Sequence, residues 1–124
     1  MLLTGSAFAH EKDGHVSFKA PKNGAVVTKT FKVKFGLHGK RLRKAGDDIT
    51  DKKSGHHHLI IDGAFVPEGQ VVPTDETHKH FGKAQTQGEI TLTPGKHTLT
   101  LQLADGAHIS YGKKYSTTIE VTVE

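Results

Sequence analysis

His56, His57 and His58 are consecutive, His78 and His80 flank Lys79, and His97 and His108 follow further along a chain of 124 residues with ten histidines. Imidazole is the commonest side-chain ligand for borderline metals and titrates near neutrality, so this bunching points to metal chemistry. On an extended chain His56 and His58 project from one face, about 7 Å apart at Cβ. His78 and His80 repeat that relation if their segment is extended. The two pairs, brought together, make a nitrogen-rich site suited to Cu(II), Zn(II) or Ni(II). The candidate metal ligands are His56, His58, His78 and His80, with His108 in reserve, and the expected cofactor is copper or zinc. Asp62, Asp75 and Glu76 are candidates to ligate, or to orient an imidazole through its second nitrogen.

Not every histidine fits that role. His57 and His97 share parity with Leu59, Ile61, Leu99 and Leu101, and a histidine so placed is usually a buried hydrogen-bonding residue, for example one held by a loop carbonyl. If both rings are kept neutral, the domain loses stability as pH falls through the histidine range. His15 and His38 read as surface residues.

Enzymatic signals are missing. Ser54, Ser110 and Ser116 lack a nucleophile-elbow context, no HExxH pattern occurs, and adjacent Asp75 and Glu76 point apart on an extended chain. The expectation is a non-enzymatic protein. The competing reading is a structural or interaction module of the cell envelope, in which histidines pin long loops and Lys79, Lys83, Gln85 and Tyr111 line a surface for a polyanion, a glycan or a protein.

The elements that must position these residues are strands. Val16 and Phe18 precede a turn at Pro21-Lys22-Asn23-Gly24. Phe31, Val33, Phe35 and Leu37 then alternate with Lys32, Lys34 and Gly36. Residues 56–62 form a strand with polar heads on both faces near its start. Residues 71–87 have no clean period and read as a long loop with one helical turn. Three more strands follow, over residues 89–93, 96–103 and 117–123. Pro94-Gly95 turns the chain between the first two, and the 96–103 strand places His97, Leu99, Leu101 and Leu103 inward with Thr98, Thr100 and Gln102 outward. Short strands with turn signals every eight to twelve residues predict an all-β fold, an immunoglobulin-like antiparallel β-sandwich of about seven strands, with a small barrel as the alternative.

Composition agrees with one such domain over residues 10–124. Without cysteine, neither disulfides nor thiolate metal sites arise. The net charge of +4 is concentrated in the mixed-sign polar loop 40–53, which has no aromatic residue. A single-stranded nucleic-acid surface interleaves aromatics with basic residues, so no nucleic-acid partner is expected. No apolar run is long enough to span a membrane. Residues 1–9, ending in Ala7-Phe8-Ala9, read as the remnant of a secretory signal peptide, with His10 as the expected first residue of a periplasmic or secreted form.

The ordered motifs Gly55-His56-His57-His58-Leu59-Ile60-Ile61-Asp62, Pro73-Thr74-Asp75-Glu76, His78-Lys79-His80-Phe81-Gly82-Lys83, Pro94-Gly95-Lys96-His97 and Ala104-Asp105-Gly106-Ala107-His108 resemble the exported bacterial family designated domain of unknown function 4399. That resemblance covers residues 16–123 and implies an exported, compact single domain without naming a substrate or metal. Residues 21–27 and the strand after them also resemble the opening of small periplasmic copper-binding proteins of the CopC type, which are immunoglobulin-like sandwiches. That family's later copper motifs do not recur.

Overall fold

The alternation of Phe31, Val33 and Phe35 with Lys32 and Lys34 becomes strand β3 in the computed structural model, which describes residues 14–124. The signal-peptide remnant and His10 lie outside the described residues. The order is β1 (His15–Ala20), β2 (Ala25–Val27), β3 (Thr30–His38), β4 (Arg41–Leu42), β5 (Ser54–Ile61), β6 (His78–Phe81), β7 (Gln87–Thr91), β8 (Gly95–Ala104) and β9 (Ser116–Val123), with a 3-10 turn at Lys113–Tyr115. One sheet runs β1-β3-β7 and the other β2-β9-β8-β5-β4, with β6 paired to β5. All pairings are antiparallel except the short β2–β9 and β4–β5 ladders.

Between the sheets lies a core that includes Val16, Phe31, Val33, Phe35, Leu59, Ile61, Leu99, Leu101, Leu103 and Val121. The fold is the expected immunoglobulin-like sandwich. The seven strands of four or more residues account for the expected number, and β2 and β4 are too short to leave a periodic signal.

Two expectations change. Within residues 71–87 there is no helical turn. His78–Phe81 is a strand, and its cross-strand partners are Ile60, Leu59, His58 and His57. A four-residue segment cannot declare a period of two, and its ladder to β5 supplies the order that its sequence does not. The outward parity of Thr100 and Gln102 likewise does not mean exposure. Both are buried, because loops pack over the outer face of β8 and β5.

β5 is buried along its whole length for that reason. Its inward residues His57, Leu59 and Ile61 face the sandwich, while Ile60 on the opposite face packs with Val66, Val72 and Ala104 in a second, smaller apolar cluster. Backbone hydrogen bonds tie residues 69–72 to residues 108–110, and Ala45 and Gly46 donate to the carbonyls of Gly82 and Gly106. Three loops therefore meet over the outer face of β5, where His56 and His58 point.

Candidate metal centre

Register places the site. β5 pairs β8 on one edge and β6 on the other, and His58 lies directly opposite His80. Directly opposed residues on neighbouring strands share a face, so His80 joins His56 and His58 on the loop-covered side. The Nε2 of His56 is 3.0 Å from that of His58 and 3.2 Å from that of His80. Ring nitrogens of the three residues all lie within 4.8 Å of one another. His108 completes a ring of four imidazoles. Its centroid is 4.8 Å from that of His80, in a stacked arrangement, and 5.0 Å from that of His56.

These distances suit an ion. Two nitrogens each about 2.0–2.1 Å from one metal are roughly 2.9 Å apart at a right angle and roughly 3.3 Å apart at the tetrahedral angle. The ring nitrogens of His58 and His80 lie within 4.8 Å and must be no more than about 4.2 Å apart to share a centre, so these two rings draw together around an ion. The group of His56, His58 and His80 can hold a metal, and its donors are all nitrogen, which fits Cu(II) or Zn(II) better than Ca(II) or Mg(II).

The electrostatics keep the lone pairs available. Burial pushes His56 down to about 4, reinforced by the neighbouring His80 and His108 and opposed by the Asp105 carboxylate. Burial and the charges of His56, His80 and His108 push His58 down to about 2, and burial also lowers His80. Neutral imidazole is the form that binds metal. The Nδ1 atoms of His56 and His58 have no hydrogen-bond partner among the described residues, so no protein acceptor selects their tautomer.

The other sequence candidates lie elsewhere. His78 sits opposite Ile60, and its Nδ1 is 2.8 Å from the Asp75 carboxylate, whose Oδ1 also accepts from the backbone N–H groups of Thr77 and His78. It is not among the three converging residues. Asp62 holds His97, with Nδ1 to Oδ2 at 2.8 Å, and Glu76 is exposed. The Nε2 of His97 reaches the Thr93 carbonyl at 2.8 Å, the loop-carbonyl role expected of it. Its hydrogen bond to Asp62 raises its pKa, however, so it departs from the neutral ring expected. His15 and His38 are exposed and face each other across β1 and β3, with centroids 5.3 Å apart. The Tyr111 hydroxyl donates to the Ser54 carbonyl and Lys40 covers its ring, which takes it out of an open binding surface.

Sequence reasoning missed Asp105 and Gly82. Asp105 is buried, accepts from the backbone N–H groups of Ala107 and Ile109, and is bridged by Lys52. It thereby shapes the turn that carries His108, whose φ is +68°. The Asp105-Gly106 turn signal was the available clue. At Gly82 an added Cβ would lie within 2.6 Å of the His80 Nε2. The glycine makes room for that ring. Gly82→Ala is expected to displace His80 and weaken metal affinity about 10–100-fold, the range seen when a ligand's support is lost. Unchanged affinity in a calorimetric titration would show that the His80 position is not needed.

Among the described residues no helix is long and apolar enough to cross a membrane. No curated protein matches the chain. Among solved structures it is similar to the endo-β-1,4-mannanase from Thermotoga petrophila, with a TM-score of 0.54 and 14% identity over 90% of this chain and 20% of the mannanase. That likeness concerns the fold alone, since the chain spans only a fifth of the enzyme's length. It is also similar to the fibronectin(III)-like modules of CbhA from Clostridium thermocellum, with a TM-score of 0.49 and 12% identity over 88% of this chain and 95% of the module. The family described as Domain of unknown function (DUF4399) matches residues 33–124, which include every member of the four-imidazole ring. The match covers most of the chain, and the chain belongs to the DUF4399 family.

Proposed function

We propose that this is an exported, non-enzymatic domain that holds one Cu(II) or Zn(II) ion through His56, His58 and His80, with His108 as the fourth donor. The observation that carries the reading is the convergence of three imidazole nitrogens at spacings of 3.0 and 3.2 Å. Two of the rings are fully buried, while His80 and His108 are only half-buried. An ion enters past that pair and is then held from behind by His56 and His58. Donors buried beneath three loops favour retaining an ion over turning over a substrate. Export, to the periplasm or beyond, is supported by the Ala7-Phe8-Ala9 signal and by the resemblance stated from the sequence.

Spacings of 3.0 and 3.2 Å also suit hydrogen bonds between rings. That favours one second reading, in which the cluster only pins loops and the domain serves as an interaction module. Calorimetric titration of untagged, metal-free protein with Cu(II), Zn(II) and Ni(II) separates the two. The metal reading predicts one ion per chain with Kd below about 1 μM for copper or zinc. His80→Ala should weaken binding at least about 100-fold and His78→Ala should leave it unchanged. Binding weaker than about 100 μM for all three ions, or undiminished in His80→Ala, contradicts the proposal.

A further inference from the structure

The inward face of β5 bears a separate feature. His57 packs its ring against Phe35, with centroids 4.9 Å apart, and neither of its nitrogens has a hydrogen-bond partner among the described residues. An imidazole carries at least one N–H at any pH, and a buried polar group without a partner costs about 1–3 kcal/mol. Such a group calls for an explanation.

The ring lines a cavity of about 370 Å³ at the margin of the sandwich, where β4 covers only the first two residues of β5. Phe35, Leu37 and Leu42 supply apolar wall, and Lys19, Arg41 and Thr86 contribute polar groups. Two further openings share Arg41, one of about 470 Å³ lined also by Lys40 and Lys53, the other of about 270 Å³ lined also by Arg43 and Ser54. No carboxylate lines any of the three.

Two of the five cations are already engaged. Arg43 pairs with Asp47 and Asp51, and Lys40 donates to the Lys52 carbonyl while lying over Tyr111. Lys19, Arg41 and Lys53 have no carboxylate within salt-bridge distance among the described residues. A guanidinium without an acid, lining all three openings, is suited to the planar oxygens of a carboxylate or phosphate.

We infer that this cleft binds a small organic anion, its carboxylate or phosphate held by Arg41 and Lys19 and its apolar body lying along Phe35, Leu37 and Leu42. Both His57 nitrogens are closed off from solvent, so the ring floors the cleft without giving the ligand a hydrogen bond. The site lies on the face of β5 opposite the metal centre and does not depend on it.

The test titrates the full chain, labelled for NMR, with phenyl phosphate and with phenylacetate. Saturable shifts at Lys19, Phe35, Arg41 and Thr86 are expected for at least one probe, with Kd of about 1 mM or tighter. The probe that saturates identifies the head group. Arg41→Gln should weaken binding about tenfold while leaving the amide spectrum away from the cleft unchanged, which reports that the variant is folded. Non-saturating shifts with both probes, or saturation unaffected by Arg41→Gln, overturn the inference without touching the metal centre.

Discussion

Metal-free protein is expected to lose stability steadily as pH falls from about 6.5 towards 4. His56 and His57 are held at about 4 and His58 at about 2, against 6.5 for an unfolded histidine. Through that window the unfolded chain takes up protons at these sites and the folded chain does not, so each proton bound draws the equilibrium towards unfolding. His57, depressed by burial alone, contributes roughly 3 kcal/mol of lost stability by pH 4 at 1.36 kcal/mol per pKa unit. Adding the other two brings the loss to the order of the whole stability of a domain, roughly 5–15 kcal/mol. His97 works in the opposite sense. Its raised pKa gives stability that is fully present below the unfolded value and is lost as pH rises through the folded one, so it offsets part of the slope. Urea unfolding at pH 7.5, 6 and 5 in the presence of a chelator checks the sum. The expected outcome is a midpoint that drops at each step, with a shallower drop for His57→Leu. A midpoint independent of pH would mean that the buried rings do not carry these shifts.

The second large effect is stabilisation by metal. An ion that binds only the folded state at a thousandfold excess over its Kd adds about 4 kcal/mol, which for a domain of this size raises Tm by roughly 10–20 °C. His80→Ala should remove most of the increase, whereas His78→Ala should retain it, because the Nδ1 of His78 faces Asp75. Loading should steepen the acid slope rather than relieve it, since ligated imidazoles take up no protons in the folded state while those of the unfolded chain still do, and metal affinity itself falls with pH. A scanning-calorimetry trace unchanged by excess Cu(II) and Zn(II) counts directly against the metal reading.

Much of this was legible in the sequence, and the limits have physical causes. Period-two alternation located β3 and much of β8 and β9, because each presents one face to a continuous core. The same parity correctly separated His57 from His56 and His58. It did not separate His78 from His80, which share a face, because the difference lies in what each meets across the ladder: Ile60 for one and His58 for the other. Register between strands about twenty residues apart is set by tertiary packing and leaves no local mark. The burial of Thr100 and Gln102 was hidden for a similar reason. Gln102 accepts from the Val66 N–H and donates to the carbonyls of Leu103, Gly112 and Tyr115, contacts that exist only once the loops fold over β8. Gly82 and Asp105 read as ordinary turn residues until the rings of His80 and His108 are placed beside them.

His56, His58 and His80 are proposed to share one ion. A crystal of protein loaded with one equivalent of zinc or copper, measured at the metal absorption edge, tests it most directly. A single anomalous peak is expected about 2.0–2.2 Å from the Nε2 atoms of these three residues, with His108 adjacent. A peak at His78 and Asp75, at exposed His15 and His38, or nowhere on the chain would contradict it.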